Sequence, residues 1–216
     1  MKAVVFDMDG VIFDTERLVI EFWKEVAKKH NIPNVEHTCI QCLGTNRVRT
    51  REIFLENYGA DFPFDPYRAE VTELFNTHYK GVPLPTKPGI RELLNYLQEQ
   101  DIKVGLASST AQHLVRDEIG TAGLLPYFQT LVCGDMVEHS KPAPDIFLKA
   151  CEILNADPTK SIAIEDSFNG IRSAHCAGMT PIMVPDQVQP TDEIRTLAFR
   201  VMPSLLDVLN WLKTLA

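Results

Sequence analysis

Residues 2–15 read Lys2-Ala3-Val4-Val5-Phe6-Asp7-Met8-Asp9-Gly10-Val11-Ile12-Phe13-Asp14-Thr15. The apolar run before Asp7 is too short for a helix and leads directly into two carboxylates and a glycine. Such a run reads as a buried strand of a parallel sheet. Ligands of open α/β sheets sit beyond the carboxyl ends of the strands, which is where Asp7 and Asp9 fall. Strand side chains alternate, so residues i and i+2 point the same way. Asp7 and Asp9 can therefore face one pocket while Met8 points away. Gly10 allows a sharp turn close to whatever is bound there. Two acids this close repel unless a cation or a shared proton relieves them. Taken alone, the pair is as readily a capped strand end with two solvated acids.

Outward from this stretch, Leu18, Ile20, Phe22, Trp23, Val26 and Ala27 fall close to helical spacing. They predict a helix over 16–30, with Asp14 or Thr15 as N-cap and a stop at Asn31-Ile32-Pro33-Asn34. Further helices are expected over 46–58, ended by Gly59, and from about 66 to 79. The stretch Val82-Pro83-Leu84-Pro85-Thr86-Lys87-Pro88-Gly89 reads as a boundary. Beyond it, apolar runs at 104–107, 131–133, 161–164, 181–184 and around Val201 alternate with helical patterns at 90–100, 111–122, 143–154, 168–177 and 205–215. That alternation implies a doubly wound, mainly parallel, Rossmann-like α/β sheet. The expected organisation is an α/β core of residues 1–14 and 84–216, interrupted after its first strand by an all-helical domain over 15–83. Active sites often lie between two such domains, and the two connections are natural hinges.

Hydrophobic residues at 45% and charged residues at 23% of the 216 describe an ordinary globular protein. A formal charge of −8 argues against nucleic acid or an anionic membrane as partner, and no run is long enough to span a bilayer. The expected location is the cytoplasm, and the expected state a monomer acting on a small phosphorylated metabolite. Five scattered cysteines are not a disulfide framework. Cys39-Ile40-Gln41-Cys42 lacks the second ligand pair that a zinc site needs.

Three more strand ends carry polar groups. Ser108-Ser109-Thr110 puts hydroxyls at the start of a helix, where free N–H groups make a phosphate site; a plain helix cap is the alternative. Lys141-Pro142 opens another helix, and a lysine at that end of the dipole requires an anion or acids beside it. Glu165-Asp166 adds two carboxylates at the sheet edge that carries Asp7 and Asp9. Carboxylate oxygens beside a phosphate suit Mg²⁺. A carboxylate is ionised at neutral pH without a helper base and can attack phosphorus in line to give an aspartyl-phosphate.

Asp7-Met8-Asp9-Gly10, Ser108, Lys141-Pro142 and Glu165-Asp166 resemble, in order, the four motifs of the haloacid dehalogenase-like hydrolases. The helical insertion resembles the C1-type cap of the β-phosphoglucomutase-like subgroup. The resemblance implies Asp7 as nucleophile and Asp9 as general acid/base. It implies Mg²⁺ held by Asp7, the Asp9 backbone carbonyl and Asp166, with Glu165 beside them as a further metal-site residue. Ser108, the Ser109 N–H and Lys141 would hold phosphate. In the cap, Gly44-Thr45-Asn46-Arg47 matches the subgroup's specificity loop, and Arg47 would reach the distal end of the substrate. Two departures separate the chain from the subgroup's mutases: Val19 and Leu43 stand where those carry a histidine and a lysine. Dehalogenases lack the second acid of the first motif, which Asp9 supplies here. The expected activity is a Mg²⁺-dependent phosphatase acting on a sugar or polyol phosphate, with a phosphosugar mutase as the alternative and a non-enzymatic phosphoryl-binding protein behind both.

Overall fold

Ala3, Val4, Val5 and Phe6 have no exposed surface. They form β1 (Ala3–Phe6), the centre of an all-parallel six-stranded sheet in the computed structural model, which describes residues 1–215. The other strands are β2 (Lys103–Ser108), β3 (Thr130–Cys133), β4 (Ile162–Glu165), β5 (Thr180–Met183) and β6 (Arg200–Val201), in the order β3-β2-β1-β4-β5-β6. Val5 lies opposite Gly105 on one side and Ala163 on the other, so residues without bulk flank the middle of the sheet.

Alternation along β1 divides the core between two faces. Val4 and Phe6 pack with α5 (Ile90–Glu99), α6 (Gln112–Thr121) and α10 (Leu205–Lys213). Ala3 and Val5 pack with α7 (Asp145–Ile153) and α8 (Phe168–Cys176) on the other. Both faces are covered, which is why the strands read as continuous apolar runs. A short helix, α9 (Asp192–Leu197), precedes β6. No helix among the described residues is long and apolar enough to cross a membrane.

Four helices are inserted between β1 and α5: α1 (Thr15–His30), α2 (Val35–Gln41), α3 (Arg47–Tyr58) and α4 (Phe64–Tyr79). They enclose an aromatic cluster in which Phe54 lies 4.4 Å from Trp23 and 5.1 Å from Phe64, centroid to centroid. Asn46 caps α3 by accepting the Arg49 N–H at 3.0 Å. The fourth helix begins at Phe64, earlier than expected. Pro66 falls inside its first turn, where the missing N–H is not needed. Asp14 stands at the N-cap of α1, as expected, but its side chain makes no capping hydrogen bond. Asp14 accepts from Arg17 and Lys87, and the Thr15 hydroxyl is used elsewhere.

The two chain segments that join insertion and core run side by side. Phe13 bridges to Thr86, the Asp14 N–H donates to the Pro85 carbonyl at 2.9 Å, and the Lys87 N–H donates to the Ile12 carbonyl at 2.8 Å.

The insertion depends on its aromatic centre, and Phe54 is fully buried there. Phe54→Ala is expected to lower stability by about 3–5 kcal/mol in urea unfolding. Val48→Ala, on the same helix but 67% exposed, should stay within about 0.5 kcal/mol of the parent.

Candidate active site

The carboxyl ends of β1, β2 and β4 converge on one ammonium group. Lys141 is 1% exposed, and its Nζ donates to Asp7 Oδ1, to Glu165 Oε1 at 2.6 Å and to the Ala107 carbonyl at 3.0 Å. All three ammonium hydrogens are thereby committed to protein. Asp7 is held at one oxygen, and its Oδ2 has no partner among the described residues.

Glu165 is equally committed. Besides Lys141, it accepts at Oε2 from the N–H groups of Asp166 and Ser167 and from the Ser167 hydroxyl, each at 3.0 Å. It belongs to a trio with Asp7 and Asp166 whose ligand oxygens lie within 4.8 Å of one another. Its hydrogen bonds nevertheless occupy both of its oxygens, which suits it to fixing Lys141 and the loop after β4 rather than to ligating an ion. Asp166 is the opposite case: it is 2% exposed, and its Oδ2 is buried without a hydrogen-bond partner. Gly10, at φ +80°, lies so close that a Cβ there would collide with this oxygen. An orphaned carboxylate oxygen beside a second carboxylate is a fitting place for a hard cation with oxygen ligands.

Asp9 is oriented by two hydroxyls. Thr15, the first residue of α1, donates to Oδ1 at 2.7 Å, and Thr110 donates to Oδ2 at 2.9 Å. Ser108 is fully buried and accepts the Thr110 N–H at 3.1 Å, with its own hydroxyl hydrogen still available to donate.

The electrostatic balance is negative. Burial, opposed by Lys141 but reinforced by Glu165 and Asp9, pushes the Asp7 carboxyl up to about 8. Burial and the neighbouring Glu165 and Asp7 hold Asp166 well above the usual carboxylate range, with Glu16 and Asp186 adding to it. Burial and Asp9 do the same to Glu16, in the first turn of α1. Lys141 is raised: Asp7 and Glu165 outweigh the burial that would discharge it.

The helical insertion touches the core at its tip. Ser109 donates its hydroxyl to the Gly44 carbonyl at 3.1 Å, and the Asn169 side-chain amide donates to the Leu43 carbonyl at 3.2 Å. Gly44, at φ +71°, sits so near Ser167 that a Cβ there would strike its hydroxyl. Arg47 is not brought to this place. Its guanidinium pairs with Asp65 at 3.1 Å, and the side chain is 76% exposed. Cys39 and Cys42 are free thiols whose ionisation burial opposes, with Cys42 pushed up to about 12.

Sequence reasoning missed the orienting hydroxyls of Thr15 and Thr110, the cap-facing amide of Asn169, and the acids Glu16 and Asp186. Thr110 stood next to Ser108 in the hydroxyl run and was open to recognition. Asn169 and Asp186 carry no local signal, since their partners lie far away in the chain.

A family model described as haloacid dehalogenase-like hydrolase matches residues 4–184. The chain is 34% identical over 182 residues to a phosphorylated carbohydrates phosphatase of Thermotoga maritima, covering 84% of each chain. It is 36% identical over 200 residues to a beta-phosphoglucomutase of Bacillus subtilis, covering 88% of this chain and 85% of the other. Among solved structures, CbbY from Rhodobacter sphaeroides in complex with phosphate is similar with a TM-score of 0.77 at 25% identity, over 96% of each chain. With a family model spanning most of its length and relatives above 30% identity, this chain belongs to the haloacid dehalogenase-like hydrolases.

Proposed function

We propose that the protein is a cytoplasmic, monomeric, Mg²⁺-dependent phosphomonoesterase that hydrolyses a sugar or polyol phosphate through an aspartyl-phosphate on Asp7. The observation that carries the reading is the setting of Asp7. One oxygen is pinned by a buried ammonium and the other is without a partner, two residues before a second carboxylate held by hydroxyls. The similarity to a phosphatase of phosphorylated carbohydrates supports the substrate class.

In the first step Asp7 Oδ2 attacks phosphorus, the ester P–O bond breaks, and protonated Asp9 gives its proton to the departing alcohol oxygen. In the second, a water attacks the phosphorus of the acyl phosphate while Asp9 takes a proton from it. The bond to Asp7 then breaks and phosphate leaves. Thr15 and Thr110 keep the Asp9 carboxyl in place through both steps. Ser108 and the Ser109 N–H hold the phosphoryl oxygens, and Lys141, with no hydrogen to spare, keeps Asp7 aimed. Asp7, Asp166 and the Asp9 carbonyl would hold Mg²⁺, which supplies the positive charge that lets two anions approach. Where the mutases carry a histidine and a lysine, Val19 packs against the insertion's apolar cluster and Leu43 is buried. This favours transfer to water over transfer to a second sugar hydroxyl.

Asp7→Asn should reduce phosphate release by more than about 10³-fold, the scale of losing a nucleophile, with an unchanged circular dichroism spectrum. Turnover near the parent rate would remove the mechanism. On one wild-type preparation, phosphate release from sugar phosphates should exceed interconversion of β-glucose 1-phosphate and glucose 6-phosphate, followed by ³¹P NMR. The opposite ratio would restore the mutase.

The elevated Asp7 also predicts a pH dependence. In the unfolded chain an aspartate loses its proton near about pH 4, whereas folded, metal-free Asp7 keeps it to about pH 8. The folded state binds more protons in that window, so metal-free stability should fall as pH rises through it. Mg²⁺ favours the ionised form, so the rise in Tm on adding it should be larger near pH 8 than near pH 5. Melts in EDTA and in Mg²⁺ test this, and a metal-free profile flat across the window would contradict it.

A further inference from the structure

Asp186, in the loop after β5, is a buried acid to which the mechanism above gives no part. Its side chain is 8% exposed. Oδ1 accepts from Lys87 Nζ at 2.5 Å, and the same ammonium donates to Asp14 Oδ1 at 3.1 Å. Oδ2 is buried with no hydrogen-bond partner. The exit of β5 lies beside that of β4, since the Val184 N–H donates to the Glu165 carbonyl at 2.8 Å. Asp186 is accordingly close enough to the site for its charge to be felt at both Asp166 and Glu16.

A buried carboxylate oxygen is ordinarily satisfied by a donor, and this one has few to draw on. The groups that act together with the charge of Asp186 on Asp166 and Glu16 are Asp7, Asp9 and Glu165, all acids that accept when ionised. Lys141 has no hydrogen left, and the hydrogen bonds of Lys87 Nζ go to Oδ1 and to Asp14, not to Oδ2. No donor among the described residues meets Oδ2, so it is open to one from a molecule bound in the site. Mg²⁺ keeps several of its waters when bound by carboxylates, and those waters are strong donors that require acceptors around them.

We propose that Asp186 Oδ2 accepts a hydrogen bond from a water of the Mg²⁺ shell, which makes Asp186 a positioning residue for the metal and, through Lys87, ties the metal to the paired connections of the insertion. The inference rests on the metal-dependent reading given above. Asp186 itself is not a ligand: it acts through water, and its other oxygen belongs to Lys87.

The test is Mg²⁺ binding by isothermal titration calorimetry, without substrate, to the full chain and three variants. Asp186→Asn keeps the size of the side chain and loses the charge. It should weaken Mg²⁺ about 10- to 100-fold, the range for losing an outer-shell acceptor, while the metal-free Tm shifts little. Asp14→Asn, which removes the other acid on Lys87, should leave the affinity near that of the parent. Should Asp186→Asn fail to fold, Asp186→Ser, which retains a weaker acceptor, is held to the same criterion of weakened binding. Parent-like Mg²⁺ affinity with Asp186 replaced overturns the inference and leaves the phosphatase reading standing. Equal weakening by Asp14→Asn and Asp186→Asn also overturns it, because the effect would then run through Lys87 alone. A parent protein that binds no Mg²⁺ overturns both readings.

Discussion

One fully buried ammonium keeps the carboxyl edge of this sheet in register. Lys141 joins Asp7 from the end of β1, the Ala107 carbonyl from β2 and Glu165 from β4. None of these charges is tolerable in a dry interior without the others, and removing one partner of such a group costs about 3–5 kcal/mol. The arrangement also propagates. Glu165, held by Lys141 at one oxygen, gathers the N–H groups of Asp166 and Ser167 at the other, so the loop bearing the orphaned Asp166 oxygen is set by the same network. Ser167 in turn caps α8 by accepting the Gly170 N–H at 3.0 Å. The position of the candidate metal ligand is therefore a consequence of one lysine placed 25 residues earlier, just before α7.

Much of this was legible in the chain, for identifiable reasons. The strands are short apolar runs because both faces of the sheet are covered, and α1, α5 and α10 each carry a stripe of buried apolar residues. The polar residues at strand ends could be read as one site because parallel strands all deliver their carboxyl ends to the same edge. What escaped was governed by distance or brevity. The seven-residue α2 begins after Asn34 at φ +54°, and α9 has six residues; neither is long enough to show a period. Thr15 reads as a helix cap from its neighbours, yet its hydroxyl serves Asp9 because the turn at Gly10 brings that carboxylate back over the helix start. Arg47 has the right place in the sequence for a cleft residue, but Asp65 offers its guanidinium an ion pair on the outside. No local pattern could weigh that competition.

The paired connections between core and insertion limit how the two can move. Had each connection been a free tether, the helical insertion could tilt, twist and slide over the sheet edge. Hydrogen bonds from Asp14 to Pro85 and from Lys87 to Ile12 fuse the two into a single ribbon, and Lys87 fastens that ribbon to Asp186. A ribbon bends easily across its width and poorly along it, so one swing is soft and the other displacements are stiff. A swing along that arc would part the tip at Leu43 and Gly44 from Asn169, Ser109 and Ser167, and would shear the packing of Phe75 and Tyr79 on the core nearer the hinge. A cleft hinged in this way would open most at its tip, so the reach of the swing would set the thickness of molecule that passes before any side chain is consulted.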